Sequence, residues 1–501
     1  MGKNRKKNRY KRADPVNYSE SGASLVSSAL EDLSYILNSP EEDIEDNKDV
    51  LMGRARQLAM GNAMAVSTFQ KFKTNVVGTG LKLKSMLDAE ILGISEEEAE
   101  KLEDKLETYW EYWVETIECD FDRQCNFYQL QALAILTKLR DGECFVALPF
   151  RKNIGDVFDL KIRILDSALC TSPFGGNKKI VNGVESDSQG VPVAYHFKKN
   201  YTSSEFVRIP IFGEKTGRRN ILMLMDKERP GQKRGVPVIS PVIEELHQVT
   251  KVRRAELKNI AVSTIFTAFI TSATTSQHVE TKSSLSKLKQ EDGKEIKMGS
   301  GNIWTLPPGQ KMEFANPNRQ CASLDSFISS VAKSIGACVG IPYEVLISYF
   351  NSSYSASRAA LNEAWRTYLN HREWLISDFC KPIYAEFLDY IVDIGLIDLP
   401  GYKENSLKRR AYQGSEWIGN SAGQIDPLKE VKASAEKIRI GVSTLARETK
   451  ILTGVDYEKT YKQRKRELKM ELELEKIKRK VRQEKGGDTN VMVASSKKER
   501  Q

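Results

Sequence analysis

No stretch of this chain reaches the roughly 18 consecutive apolar residues that a bilayer-spanning helix needs. The nearest approach, Ile260 to Ile270, is short and interrupted by Ser263, Thr264 and Thr267. The N-terminus is basic but no apolar core follows it, so it does not read as a secretory signal. The chain is expected to stay in the compartment where it is made, with no membrane partner. Cysteine is sparse: seven in 501 residues, at 119, 125, 144, 170, 321, 338 and 380. The closest pair, Cys119 and Cys125, has poor metal spacing, and an odd count suits a reducing cytoplasm. They read as ordinary buried thiols.

Catalytic patterns are missing as well. No GxxxxGK followed by Ser or Thr occurs to cradle a phosphate; Gly213-Glu214-Lys215-Thr216-Gly217 is the nearest string. Gly78 and Gly80 form a GxG without a third glycine. The four histidines, 196, 247, 278 and 371, show no HExxH spacing, so no metal site is expected. Gly419-Asn420-Ser421-Ala422-Gly423 matches GxSxG, but its flanks, Ser415 to Ile418 and Gln424 to Pro427, do not read as the strand and helix of a nucleophile elbow. Asp141 and Glu143, beside a turn glycine, read as turn chemistry. A chain of this length without a credible active site or cofactor points to assembly or mechanics rather than to an enzyme. A nuclease or NTPase is the catalytic alternative.

What is present is a core and an uneven charge. Apolar residues make up 40% of the chain, enough for a substantial core. The net charge of +9 divides sharply: residues 1–12 carry seven basic groups and no acid, and residues 457–486 carry twelve basic and six acidic groups. The rest of the chain is therefore net −4. Basic ends can meet phosphate nonspecifically, or serve as solvated flexible segments. An acidic body argues against a tight grip on DNA over a large face, but not against letting DNA slide past.

Along the chain, a short apolar helical pattern covers Leu25, Leu30, Leu33 and Ile36, and Val50 to Phe72 reads as one helix. Thr74 to Leu83 reads as a strand with a tight turn. Residues 95–118 form an amphipathic helix opened by a Ser95/Glu98 capping box, with Trp110 and Trp113 on its core stripe. A helix from Phe127 to Arg140 stops at Asp141-Gly142, and strands follow at Glu143 to Phe150 and Leu160 to Leu165. Residues 180–197 are β-rich. Ser240 caps a helix that starts at Pro241 and runs to roughly Ala268, although residues 260–270 are β-branched enough to be a strand. After a polar excursion, Ile303 to Leu306 and Lys311 to Phe314 read as a β-hairpin. A second helix covers Leu324 to Val339, closed by Gly340 and Pro342. The longest helical pattern, Ser355 to Leu396, has Pro382 inside it, which predicts a bend. Beyond Pro400 the chain reads as helical and increasingly charged, ending in a disordered tail.

Several phrases, in their order and spacing, resemble the lambda-type family of phage portal proteins over roughly residues 50 to 400. They are RARQLAMGNAMAVSTFQKFKTNVVGTGLKL, LRDGECFVALPF, NGVESDSQGVPVAYHF, RPGQKRGVPVISPVIEELHQVTKVRRAELKNIAVSTIFTAFITS and SSYSASRAALNEAWRTY. The resemblance implies an α+β portal fold in a closed ring of twelve subunits at one capsid vertex. A basic, partly flexible segment (1–48), read from its residues alone, precedes the mixed α/β wing (49–238) that the resemblance implies. Two packed stem helices (239–270 and 321–341) would enclose a clip (271–320) containing the β-hairpin. A tunnel-loop region (342–356), a long kinked wing helix (357–400), an α-helical crown (401–486) and a tail (487–501) would complete the chain. Implied partners are further copies of itself, double-stranded DNA, the large terminase, head–tail adaptor proteins, and the major capsid and scaffolding proteins. The implied location is the virion, after assembly in the host cytoplasm. A head–tail adaptor is the structural rival, but adaptors are usually much shorter.

That resemblance places Phe350, Asn351, Ser352, Ser353 and Tyr354 on a loop facing DNA. Four of these five are uncharged polar residues that could touch a duplex without holding it. Lys251, Arg253, Arg254 and Lys258 on the first stem helix could form a basic belt, or could pair with Glu244, Glu245 and Glu256.

Overall fold

The computed structural model describes residues 28–30, 33, 36–174, 179–263, 268–272, 310–314, 322–422, 427–458, 460–461, 463–465 and 467–478. Of the helical pattern at 25–36 only 28–30, 33 and 36 are described, with Ser28–Leu30 a single 3-10 turn and Leu33 and Ile36 exposed; most of residues 271–320 and the tail from 479 onward lie outside the described residues.

Two helices, α1 (Lys48–Gly61) and α2 (Ala63–Phe72), replace the single helix expected from Val50 to Phe72. Asn62 causes the break. Its backbone is extended, and its side-chain oxygen accepts from the amides of Met64 and Ala65, capping α2. One π turn, Lys73–Val77, then leads into β1 (Lys82–Ser85). Helix α3 (Glu96–Val114) starts at the Ser95/Glu98 capping box, with both reciprocal bonds made. Helix α4 (Phe127–Asp141) ends at Gly142, whose φ of +90° suits glycine and whose Cβ position is filled by the backbone of Val236.

Strand β2 (Glu143–Ala147) lies between β3 (Arg163–Leu165) and β8 (Ile221–Met225), antiparallel to both. Strands β4 (Ile180–Val181), β5 (Val184–Ser186), β6 (Pro192–Lys198) and β7 (Phe206–Pro210) make a separate meander in that order. The pleat splits β2 between two cores. Cys144 and Val146 join the main apolar core, while Phe145 joins a small one with Cys170, Val184, Tyr195, Phe197 and Ile221.

Asp141 and Glu143 are not turn carboxylates. Both are buried in ion-pair networks: Asp141 with Arg56 at 2.7 Å and Arg140 at 2.8 Å, and Glu143 with Arg234 and with Lys48 at 3.7 Å. Their sequence position beside Gly142 hid partners 85 and 91 residues away.

Beyond the meander, a 3-10 turn at Ser240–Val242 precedes α5 (Ile243–Ser263), so Ser240-Pro241 opens that turn rather than the α-helix itself. The described helix ends at Ser263, residues 264–267 lie outside the described residues, and β9 (Ala268–Ser272) follows, as the β-branched composition allowed. Strand β10 (Gln310–Phe314) pairs antiparallel with β9. The partner of Lys311 to Phe314 is thus 268–272, and Ile303 to Leu306, the other expected arm, lies outside the described residues. Helix α6 (Ala322–Val339) returns to the body.

A short helix, Tyr343–Ile347, leads to α7 (Tyr354–Leu375). One π turn, Ile376–Cys380, joins α7 to α8 (Lys381–Asp393), so Pro382 is met by local rewinding one turn ahead of it. Residues after Pro400 are not all helical: β11 (Ser415–Ile418) pairs with β1. Helices α9 (Pro427–Arg439) and α10 (Leu445–Thr453) follow, and residues 457–478 are helical wherever described.

Within the body, His371 on α7 packs edge-on against Phe72 at 4.9 Å and Trp374 at 5.1 Å. Burial, opposed by Asp226 and assisted by Lys138, pulls its pKa down to about 4. The unfolded chain, with an ordinary histidine near about 6.5, therefore binds the proton first. Its contribution is constant above that value and turns unfavourable as pH falls toward 4. At pH 5 the expected loss is about 2 kcal/mol. Urea midpoints measured between pH 7 and 4.5 should show it, and His371→Gln should flatten the dependence by that amount.

Candidate nucleic-acid interface

Helix α5 is rooted in the body by its first turns and leaves it afterwards. Leu246 and Val249 are buried, whereas Leu257 is 66% exposed. Asn62 fastens the root: its amide donates to the Leu246 carbonyl and to Thr250 Oγ1, both at 2.8 Å. Helix α6 behaves alike, with Ala332 and Ile335 buried and Phe327, nearer the excursion, 41% exposed. Both helices carry apolar stripes that continue past the point where the body covers them.

Lys251, Arg253, Arg254 and Lys258 are all exposed. Among the described residues, no ion pair joins any of them to Glu244 or Glu245, two of the partners considered above. Lys251 and Arg254, three apart on one helix face, instead line a cavity of about 420 Å³ between α1 and α5, together with Arg54 and His247. Arg253 lies on the other flank, beside Gly61 to Met64 and Leu257. Lys258 joins neither cavity lining. Arg54 falls within the helix expected from Val50 to Phe72 and has no role assigned by its sequence pattern. Its partners in the groove are nearly 200 positions away, so no local pattern could reveal them.

The loop 350–354 projects from a clamped base. Ser348, with a left-handed φ of +57°, ends the short helix, and its hydroxyl accepts from Lys71 Nζ at 2.6 Å. Ser67 Oγ donates to the Leu346 carbonyl at 2.8 Å, so α2 holds the loop from below. Asn351, Ser352, Ser353 and Tyr354 are exposed. Phe350 is half-exposed and lines a cavity of about 600 Å³ between α7 and α9 with Val345, Arg358, Leu361 and Trp365. Two of the serines have structural duties: Ser353 caps α7 through the Ala356 amide at 3.4 Å, and Ser352 Oγ meets Ser357 Oγ at 3.1 Å. Asn351 and Tyr354 are the side chains left to reach outward. Arg372, lower on the same helix, is spent internally, donating to the carbonyls of Val76, Asn75 and Asn420 at 2.8 to 3.0 Å. Burial pulls its pKa below the usual arginine value.

Ser421 of the GxSxG string does follow a strand, β11, contrary to the reading of its flanks. Its hydroxyl nevertheless donates to the Leu452 carbonyl at 3.3 Å, which is the bond of a structural serine. Among the described residues no group of three or more His, Cys, Asp or Glu could hold a metal ion, and no helix is long and apolar enough to cross a membrane.

Residues 30–372 match the family described as phage portal protein, lambda family. Over 447 residues the chain is 23% identical to portal protein B of Escherichia phage lambda, covering 83% of this chain and 82% of that one. It is likewise 23% identical over 447 residues to the portal protein of Escherichia phage N15, covering 83% of each. A chain in the neck of an empty gene transfer agent particle, computed with C6 symmetry, shares the fold at a TM-score of 0.53 and 12% identity. That match covers 81% of this chain and 93% of the other.

Proposed function

The chain belongs to the lambda family of phage portal proteins, a component of the virion head, and from that premise we propose that its copies close into a ring at one capsid vertex. Double-stranded DNA passes through the ring inward during packaging and outward on ejection. The ring catalyses nothing: a terminase motor docked on it supplies the energy, and head–tail adaptors later take the motor's place. Contacts with major capsid and scaffolding proteins let the ring seed assembly of the head. Residues 49–238 act as the wing, 239–270 and 321–341 as the stem, 271–320 as the clip, 357–400 as the kinked wing helix and 401–486 as the crown. The exposed loop at 350–354 touches the duplex.

One observation carries this reading. Helices α5 and α6 leave the body with Leu257 and Phe327 only partly covered, so a lone subunit exposes part of the apolar stripe of its own stem. Head-to-tail contact with an identical neighbour covers such a stripe, and contacts of that kind that close on rotation make rings. A duplex presents one charge per ~1.7 Å of axis, so a translocating channel must centre it without holding it. An uncharged loop such as Asn351 to Tyr354 suits that task.

Purified protein, weighed by native mass spectrometry and viewed end-on in negative stain, should give closed rings, twelve subunits by family resemblance, with a central opening. Finding only monomers or dimers across a range of salt would refute the reading.

A further inference from the structure

We propose that the groove between α1 and α5 is a phosphate site, with Arg54, Lys251 and Arg254 as its cations and the DNA backbone as its source of phosphate. The inference rests on the portal reading for that source, but the site itself is argued from the groove. Three permanent cations from two helices converge on one cavity of about 420 Å³, joined by His247 and opposed by a single lining carboxylate, Glu244. Among the described residues none of the three is in an ion pair. The cluster does not follow from a generally basic surface, because the chain between its two basic ends is net negative.

The cations are held together by packing that does not involve them. Asn62 pins α1 to α5 through Leu246 and Thr250, and the buried Leu58, Leu246 and Val249 support the contact from below. Guanidinium groups suit phosphate oxygens through paired, charge-assisted hydrogen bonds. All three side chains are exposed at the groove, so a phosphate they bind is released as salt rises.

The test uses the assembled full-length protein and a short fluorescein-labelled duplex, followed by anisotropy across a potassium chloride series. The triple variant Arg54→Gln, Lys251→Gln, Arg254→Gln should bind at least about tenfold more weakly at low salt, with a shallower salt dependence. Arg366→Gln, an exposed arginine elsewhere that pairs with Glu363, should change neither. Inorganic pyrophosphate should displace the duplex from the unmodified protein. If pyrophosphate binds in a way the triple variant loses but the duplex does not bind, the phosphate chemistry stands and DNA is eliminated as its source. Unchanged affinity and salt slope in variant rings of normal mass would overturn the site and leave the portal reading intact. Variant rings that fall apart would also overturn it, by assigning these cations to a second copy of the chain. Failure of the unmodified protein to form rings at all would count against the portal reading instead.

Discussion

Replacing Arg234 with Met should cost about 3–5 kcal/mol of stability, among the largest effects of any single change in this chain. Arg234 and Glu143 are both completely buried. The guanidinium donates through Nε to both Glu143 oxygens, at 3.0 and 2.9 Å, and through its other nitrogens to the carbonyls of Cys170 at 2.9 Å, Ser167 at 3.3 Å and Asn182. One side chain thus ties the segment that feeds α5 to the central strand β2 and to the meander. Removing it strands a carboxylate in the interior, with the Gly235 amide at 2.9 Å and Lys48 at 3.7 Å as its remaining contacts. Burial pulls the Lys48 pKa below the usual lysine range and persists once the charge of Arg234 is gone, and its nitrogen stands 3.7 Å away, so Lys48 is a weak substitute. Arg234→Lys should fail almost as badly, because an ammonium cannot reproduce the planar fork. Arg234→Met combined with Glu143→Gln should recover a substantial part of the loss, since the cost lies in the unpaired charge. Denaturant unfolding of the four proteins measures this directly. Equal destabilisation by the single and double variants would mean that shape rather than charge holds the junction.

What could be read from the sequence follows how far apart the interacting residues are. The Ser95/Glu98 box and the stop at Gly142 involve neighbours, and both were legible. The break at Asn62 was not, because an asparagine within a helical pattern is tolerable until its amide finds Leu246 and Thr250, 184 and 188 residues on. Strand β11 escaped notice for the same reason: its four residues pair with Lys82 to Ser85, more than 300 positions earlier. The carboxylates of Asp141 and Glu143 looked local because their turn is local, whereas Arg56 and Arg234 lie 85 and 91 positions away. At the candidate interface, the basic residues of α5 and the loop at 350–354 were picked out through family resemblance to a channel. Physical reading of the sequence supplied only their charge or lack of it. That Arg54 stands opposite Lys251 and Arg254 required the fold.

Trp110→Ala should cost about 3–5 kcal/mol, the range for deleting a buried tryptophan, and should loosen parts of the chain far from α3. Trp110 is 1% exposed and meets five other aromatic rings edge-on: Trp113 at 5.3 Å, Phe127 at 5.1 Å, Tyr384 at 5.5 Å, Phe387 at 5.3 Å and Trp417 at 5.7 Å. These rings come from α3, α4, α8 and β11, so one side chain joins the expected wing to the strand that begins the C-terminal region. Its Nε1 finds no acceptor among the described residues, so packing rather than a hydrogen bond is what truncation removes. Trp110→Phe should therefore be much milder than Trp110→Ala, since a ring remains to meet its neighbours. Hydrogen exchange offers a second readout. Protection should fall not only along α3 but at Leu83 and Trp417, which face each other across the β1–β11 pair. A loss confined to α3 would show that the C-terminal strand is held by its ladder alone, and that the body and the C-terminal helices are mechanically separable.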